Sequence, residues 1–222
     1  MSSTQQSLCK NVIASYQKLG PKRLGIHTSH YYRTDPKRLL FMLARYKFVA
    51  KMLSGCKEVL EIGCGDGFGT ELILQEVTKV HCVDFEPLYI EHCLKERKNK
   101  KLTFQVADLT KHPVFPKRDA VYALDVLEHI GKIKEGIFFR NIVRSLKSKG
   151  ICIIGTPSLE SQKYASRLSK IGHVNCKSGI DLKKIMTRYF ERIFLFSMND
   201  EVVHTGFYPM AHYLFAIGVY PK

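Results

Sequence analysis

No part of this chain is apolar for long enough to cross a bilayer. Its longest apolar stretch, near Phe215–Tyr220, falls far below the ~20 residues that a spanning helix needs. The opening residues, MSSTQQSLCKN, have no apolar core of the kind that directs secretion. An integral membrane protein and an exported one are therefore both unexpected. The seven cysteines (9, 56, 64, 82, 93, 152 and 176) form no CxxC pair and no metal-type spacing. Odd in number and set in apolar segments such as VHCVDF and GICIIG, they read as reduced, buried thiols of a cytoplasmic protein. There is no internal repeat and no low-complexity tract. Acid is scarce as well: 20 Asp and Glu face 35 Lys and Arg, for a formal charge of +15. A surplus of that size admits a nucleic acid, an anionic membrane face or an anionic small substrate as partner, beside plain solubility.

What is present divides the chain. Residues 1–57 hold eleven Lys and Arg and a single acid, Asp35, a net of +10, against +5 for residues 58–222. In the first part, LCKNVIASYQKLG and PKRLLFMLARYKFVAKML space apolar residues at helical intervals, with Leu39, Met42, Leu43, Tyr46, Val49, Ala50 and Leu53 recurring at threes and fours. The segment between them, GPKRLGIHTSHYYRTDP, has the Gly, Pro, Ser and Thr content of a loop. Residues 1–57 are thus expected to form a basic helical extension or lid, and residues 58–222 a separate domain.

From Glu58 the pattern changes to short apolar runs: VLEIG, KVHCVDF, LTFQVADL, AVYALDVL and GICIIGT. Rich in Val, Ile, Leu and Phe, they read as strands buried on both faces. TELILQEV, PLYIEHCLKERK and KEGIFFRNIVRSLKS between them carry helical periodicity. Alternating strand and helix predicts a doubly wound, Rossmann-like α/β domain with a mostly parallel sheet. A helix in DLKKIMTRYF and strands in RIFLFSM and HYLFAIGVY complete it.

The first strand runs into Glu61-Ile62-Gly63-Cys64-Gly65-Asp66-Gly67-Phe68-Gly69. Glycine this dense at the carboxyl end of a parallel strand lets a ligand approach the backbone closely. A dinucleotide loop needs GxGxxG. Counted from Gly63 the third position is Phe68, and counted from Gly65 it is Thr70, so that fingerprint fails in both registers. The residues match ExGxGxG instead. Glu61, Gly63, Gly65 and Gly67, with Asp84 ending the second strand and Asp108 ending the third, resemble the motifs of class I S-adenosylmethionine-dependent methyltransferases.

That resemblance covers residues 58–156. It implies a seven-stranded sheet with an antiparallel last strand, and S-adenosylmethionine as cofactor with S-adenosylhomocysteine as product. It also implies a cofactor site made by Glu61, Gly63, Cys64, Gly65, Gly67, Asp84, Phe85, Asp108, Leu109 and Asp125. Within it, Asp84 would accept the ribose hydroxyls and Asp108 would meet the adenine amine. Glu61 suits such a ligand, because a carboxylate facing the loop favours an ammonium or sulfonium and repels a pyrophosphate.

The fourth strand ends Leu124-Asp125-Val126-Leu127-Glu128-His129-Ile130. It lacks the Asn/Asp-Pro-Pro-aromatic turn that grips a nucleobase amine, and the Asp-Asn ligand pair of metal-dependent catechol enzymes. Cytosine C5 chemistry would need a nucleophilic Cys after Pro, where the comparable turn here is Thr156-Pro157-Ser158. No metal ligand is expected. DVLEHI, GTPS and the later GHVNCKS resemble the subgroup that includes the ubiquinone-biosynthesis O-methyltransferases and many small-molecule and sugar enzymes, which implies a small acceptor, commonly a hydroxyl. Since the sulfonium already activates the methyl group, displacement mainly needs in-line positioning, and a hydroxyl gains from a base titrating near neutrality. His129 and His173 are the two candidates for that catalytic role. His27 and His30 are expected as surface loop residues, and Asp125 as a shaper of the cofactor pocket. For the basic N-terminus three readings stand side by side: a lid over an anionic acceptor, an RNA-binding surface with Tyr16, Tyr31, Tyr32 and Tyr46 for stacking, or the solvated face of two helices.

Overall fold

A computed structural model describes residues 3–222. Helices α1 (Ser3–Leu19), α2 (Ile26–Thr34) and α3 (Lys37–Met52) come first, followed by β1 (Glu58–Ile62), α4 (Thr70–Ile73), β2 (Lys79–Asp84), α5 (Pro87–Glu96) and β3 (Leu102–Val106). Then come β4 (Arg118–Leu124), α6 (Lys132–Ser145), β5 (Leu146–Pro157), α7 (Arg167–Gly172), α8 (Gly179–Thr187), β6 (Phe190–Asn199), β7 (Val202–His204) and β8 (Tyr213–Pro221). The strands form one sheet in the order β3-β2-β1-β4-β5-β8-β6-β7. Strands β1 to β5 pair in parallel, whereas β8 inserts antiparallel between β5 and β6.

Strand alternation sorts the core into two layers. Leu60 and Ile62 of β1 face the layer closed by Phe138, Phe139 and Ile142 of α6 and by Leu182 and Met186 of α8. Val59 faces the opposite layer, with Tyr46, Val49, Ala50 and Leu53 of α3, Ile73 of α4 and Ile90 of α5. Both faces of β1 and β4 are covered, which is why their sequences read as continuous apolar runs. The α/β class and the mostly parallel sheet hold as expected.

Three details differ from the sequence reading. The sheet has eight strands where seven were expected, because Val202–His204 folds back on the end of β6 as a short antiparallel edge. Asp200, at φ 51°, makes that turn possible. The helix expected over TELILQEV lasts only for Thr70–Ile73. The expected loop before α3 contains a nine-residue helix, α2. Its one buried side chain is Thr28, so it shows no apolar stripe. Polar contacts hold it instead: Asp66 accepts from the Thr28 N–H at 2.8 Å and the Thr28 hydroxyl at 3.0 Å. Helix α1 carries a row of exposed apolar side chains, Leu8, Val12, Ile13, Tyr16 and Leu19.

Candidate active site

The carboxyl ends of β1 and β4 open into a cleft of about 360 Å³, large enough for a small ligand. Its floor is the glycine loop, with Gly63, Cys64 and Gly65 at the surface. Gly63 has φ +73°, and a Cβ there would lie 2.4 Å from Val126 Cγ2, so only glycine fits. Gly65, at φ +52°, is open on its cleft side, where the nearest atom to an added Cβ is His27 Nδ1 at 3.9 Å.

Two carboxylates hold the loop from beneath. Asp84 accepts the Gly65 N–H through Oδ2 at 2.9 Å and the Glu86 N–H through Oδ1 at 3.0 Å. Glu61 is buried, accepting from the Tyr46 hydroxyl at 2.6 Å and the Thr70 hydroxyl at 2.5 Å. Burial pushes the Glu61 carboxyl up, against the pull of those hydrogen bonds. Its oxygens brace the loop against α3 and α4, which differs from the expected direct approach to a bound cation. Gly67 packs toward Cys93 and Phe104 below the loop. Asp108 accepts from the backbone and hydroxyl of Thr110, at 2.8 and 2.7 Å, and pairs with Lys111 at 3.3 Å. These contacts lower its pKa despite the opposing cost of desolvation. Phe85 is exposed and Leu109 is buried in the core. Of the sequence-selected residues, the cleft wall itself brings together Gly63, Cys64, Gly65, Asp125, His129 and His173.

The roof is α3. Arg38, Phe41, Met42, Arg45 and Tyr46 line the cleft from above, the i, i+3, i+4 spacing that one helix face presents. Arg45 closes it against β4: its Nη1 donates to both oxygens of Asp125, at 2.9 and 2.7 Å, while its guanidinium lies 3.8 Å from the centre of the Tyr213 ring. Asp125 has φ 55°, a left-handed conformation that Asp tolerates better than most residues and that clusters at functional sites. Arg38 pairs loosely with Asp35 at 3.7 Å. Helix α2 adds His27, Thr28 and Tyr31 to the wall. His27, expected as a loop residue, thus lies on a helix and lines the cleft, its ring tilted by 47° against that of Tyr31 with centroids 4.2 Å apart. His30 lies exposed on the same helix.

The far end is built from a turn after β4 (Leu127–His129) and the connection between β5 and α8. The backbone N–H of Asn175 donates to the Glu128 carbonyl at 3.0 Å, and the Asn175 side chain and Lys177 both reach Glu135, at 2.7 and 2.6 Å. This anchoring brings His173 beside His129, with ring centroids 5.2 Å apart. Between the rings and the sheet sits Glu128, fully buried. Thr156 donates to its Oε2 at 3.1 Å, while Oε1 is buried without a partner among the described residues. Burial, with Asp125 nearby, pushes its carboxyl up to about 8. Desolvation and the neighbouring His129 lower the pKa of His173, which favours its neutral ring. One donor atom each from Glu128, His129 and His173 lies within 4.8 Å of the others. The sequence reading selected the two histidines and passed over Glu128. The signal was present in the adjacent Glu-His pair, but the ring that completes the cluster is 44 residues away from His129.

Residues 60–154 match a methyltransferase domain family. The ubiquinone biosynthesis O-methyltransferase of Rickettsia bellii is 27% identical over 135 residues, 60% of this chain and 55% of that protein. The chain thus spans about half the length of the curated relatives it matches first. Among solved structures, the N-methyltransferase NodS of Bradyrhizobium japonicum, in complex with S-adenosyl-L-homocysteine, superposes with a TM-score of 0.63 at 17% identity, covering 94% of this chain and 99% of that one. The methyltransferase domain of bacterial CtHen1-C gives 0.66 at 15% identity, covering 83% and 99%. These structural likenesses establish the fold. Among the described residues, no helix is long and apolar enough to cross a membrane.

Proposed function

We propose that this chain, a class I S-adenosylmethionine-dependent methyltransferase, moves the methyl group of S-adenosylmethionine to a hydroxyl oxygen of a small acceptor and releases S-adenosylhomocysteine. The observation that carries the reading is one continuous cleft with a carboxylate-braced glycine loop at one end and two imidazoles at the other. At the loop end, the second lone pairs of the Asp84 oxygens are free to accept the ribose hydroxyls, and Asp108, just past the end of β3, would meet the adenine. Gly63, Cys64 and Gly65 let the methionine part lie against the backbone. Arg45, by holding Asp125, fixes the wall between cofactor and acceptor.

In the reaction the acceptor oxygen attacks the methyl carbon in line with the carbon–sulfur bond. That bond breaks, its electron pair stays on sulfur, and the acceptor's proton must leave. The imidazoles of His129 and His173 provide the lone pairs in the cleft that assist this loss. The α3 roof and the modest volume support a small acceptor over a nucleic-acid strand. The anionic character suggested by the N-terminal charge finds weak support in the cleft, where Arg45 is matched by Asp125 and Arg38 by Asp35.

The test uses S-adenosylmethionine carrying a carbon-13 methyl, incubated with a panel of hydroxylated and aminated small molecules. The expected product carries its labelled carbon on oxygen, seen as the carbon shift of a methyl ether. A product labelled only on nitrogen or carbon would overturn the hydroxyl assignment.

A further inference from the structure

We infer that Glu128, His129 and His173 form a binding site for a first-row divalent cation, which holds the acceptor oxygen during methyl transfer. The geometry begins with the donor atoms, which converge within 4.8 Å in the wall of the cleft. Convergence alone is common, but here the hydrogen bonds around the cluster also prepare each ligand.

His129 Nδ1 lies 2.9 Å from the Gly172 carbonyl oxygen. A carbonyl oxygen only accepts, so Nδ1 carries the proton, and in the neutral ring Nε2 keeps its lone pair. His173 Nδ1 lies 2.8 Å from Gln162 Oε1. The Gln162 amide is fixed by its own donation from Nε2 to the Ser158 carbonyl at 3.1 Å, so its oxygen faces the ring and His173 also carries its proton on Nδ1. Both imidazoles therefore present the same nitrogen as a free donor. A backbone or amide oxygen fixing the outer nitrogen of a histidine is the arrangement that orients metal-ligating imidazoles.

The carboxylate is prepared in the same way. Glu128 Oε2 accepts from Thr156, and Oε1 is buried with no partner among the described residues. A fully buried carboxylate oxygen without a donor is costly, and a cation bound beside it removes that cost. Asp125 stands nearby, but Arg45 occupies both of its oxygens, which leaves a ligand set of two imidazoles and one carboxylate. With those three donors on the protein, a six-coordinate cation such as Mn²⁺ keeps open positions for the acceptor or water.

The cation's role rests on the methyl-transfer reading; its binding does not. An acceptor hydroxyl bound to the cation loses its proton to solvent more readily. The bound oxygen then attacks the methyl carbon, and sulfur leaves with the bond's electron pair. With the cation bound, the Nε2 lone pairs of His129 and His173 are spent on holding it, so this role replaces the proton-accepting one and the proton leaves to solvent.

The experiment titrates chelator-dialysed protein with MnCl₂, following free Mn²⁺ by electron paramagnetic resonance, and in parallel with S-adenosylhomocysteine by calorimetry. Expected is saturable binding of one Mn²⁺ per chain, weakened by about 100-fold in His173→Ala and in Glu128→Gln, and by about tenfold in Gln162→Leu, which loses the ring's anchor and the bond to Ser158 but no ligand. Should Glu128→Gln fail to fold, His173→Ala and Gln162→Leu carry the test, since His173 and Gln162 lie outside the core. Absent Mn²⁺ binding, or binding unchanged in all the folded variants, overturns the cation site. Loss of S-adenosylhomocysteine binding by the wild type instead overturns the methyl-transfer reading and leaves a measured cation site in place.

Discussion

Replacing Gly65 with arginine is expected to weaken S-adenosylhomocysteine binding by about 100-fold or more, roughly 2.7 kcal/mol, while the protein stays folded. The two effects separate because of where Gly65 sits. Its missing Cβ faces open cleft, with nothing nearer than His27 Nδ1 at 3.9 Å, so the new side chain enters ligand space and leaves the core alone. The backbone, at φ +52°, costs a non-glycine residue about 1–2 kcal/mol, which in a chain of this size lowers the melting temperature by only about 2–8 °C. Asp84→Ala should match that loss of affinity by a different route. It removes the acceptor of the Gly65 N–H and the carboxylate proposed for the ribose hydroxyls together. Gly63→Ala behaves differently, because its Cβ would strike Val126 at 2.4 Å, so the fold suffers along with the site. Calorimetry and melting of the three variants check this. Gly65→Arg with wild-type affinity would remove the glycine loop from the site.

Arg45→Ala carries the second large effect, on stability as well as turnover. The arginine is largely buried, donates to both oxygens of Asp125 and sits over the Tyr213 ring. Its removal leaves the Asp125 carboxylate, at a strained backbone position, beside the buried Glu128 with no counter-charge. Breaking a buried pair from one side costs about 3–5 kcal/mol. Asp125 is more than a third exposed, so water screens part of that, and about 2–3 kcal/mol is expected. In a chain of this size this lowers the melting temperature by roughly 4–12 °C. Arg45→Met combined with Asp125→Asn should recover most of the stability, because neither charge is then left alone, yet methyl transfer should stay low because the wall between cofactor and acceptor is lost. A single Arg45→Ala variant that melts with the wild type would mean that the pair is solvated and does not hold the wall.

Much of this was legible in the sequence, for physical reasons that also mark where legibility stops. Parallel strands buried on both faces write themselves as runs such as VLEIG and GICIIGT, and the glycine loop is read from spacing because its backbone demands glycine at fixed places. Helix α2 was hidden because Asp66, a residue of the glycine loop, holds it through Thr28, and a polar tie leaves no periodic stripe. The edge strand β7 was hidden by its length of three residues. The ExGxGxG spacing marks Glu61, but its oxygens turn inward to Tyr46 and Thr70, and only the packing of α3 on β1 reveals that. The Glu128, His129 and His173 cluster needed the β5–α8 connection folded back on the end of β4, a long-range contact made by Asn175.

What the cleft accepts decides whether the glycine loop holds S-adenosylmethionine. Wild-type protein titrated calorimetrically with S-adenosylhomocysteine and, separately, with NADH distinguishes a carboxylate-braced loop for an amino-acid sulfonium from one for a pyrophosphate. One-to-one binding of S-adenosylhomocysteine with no detectable heat from NADH is the predicted result; binding of NADH, or no binding of S-adenosylhomocysteine, would contradict it.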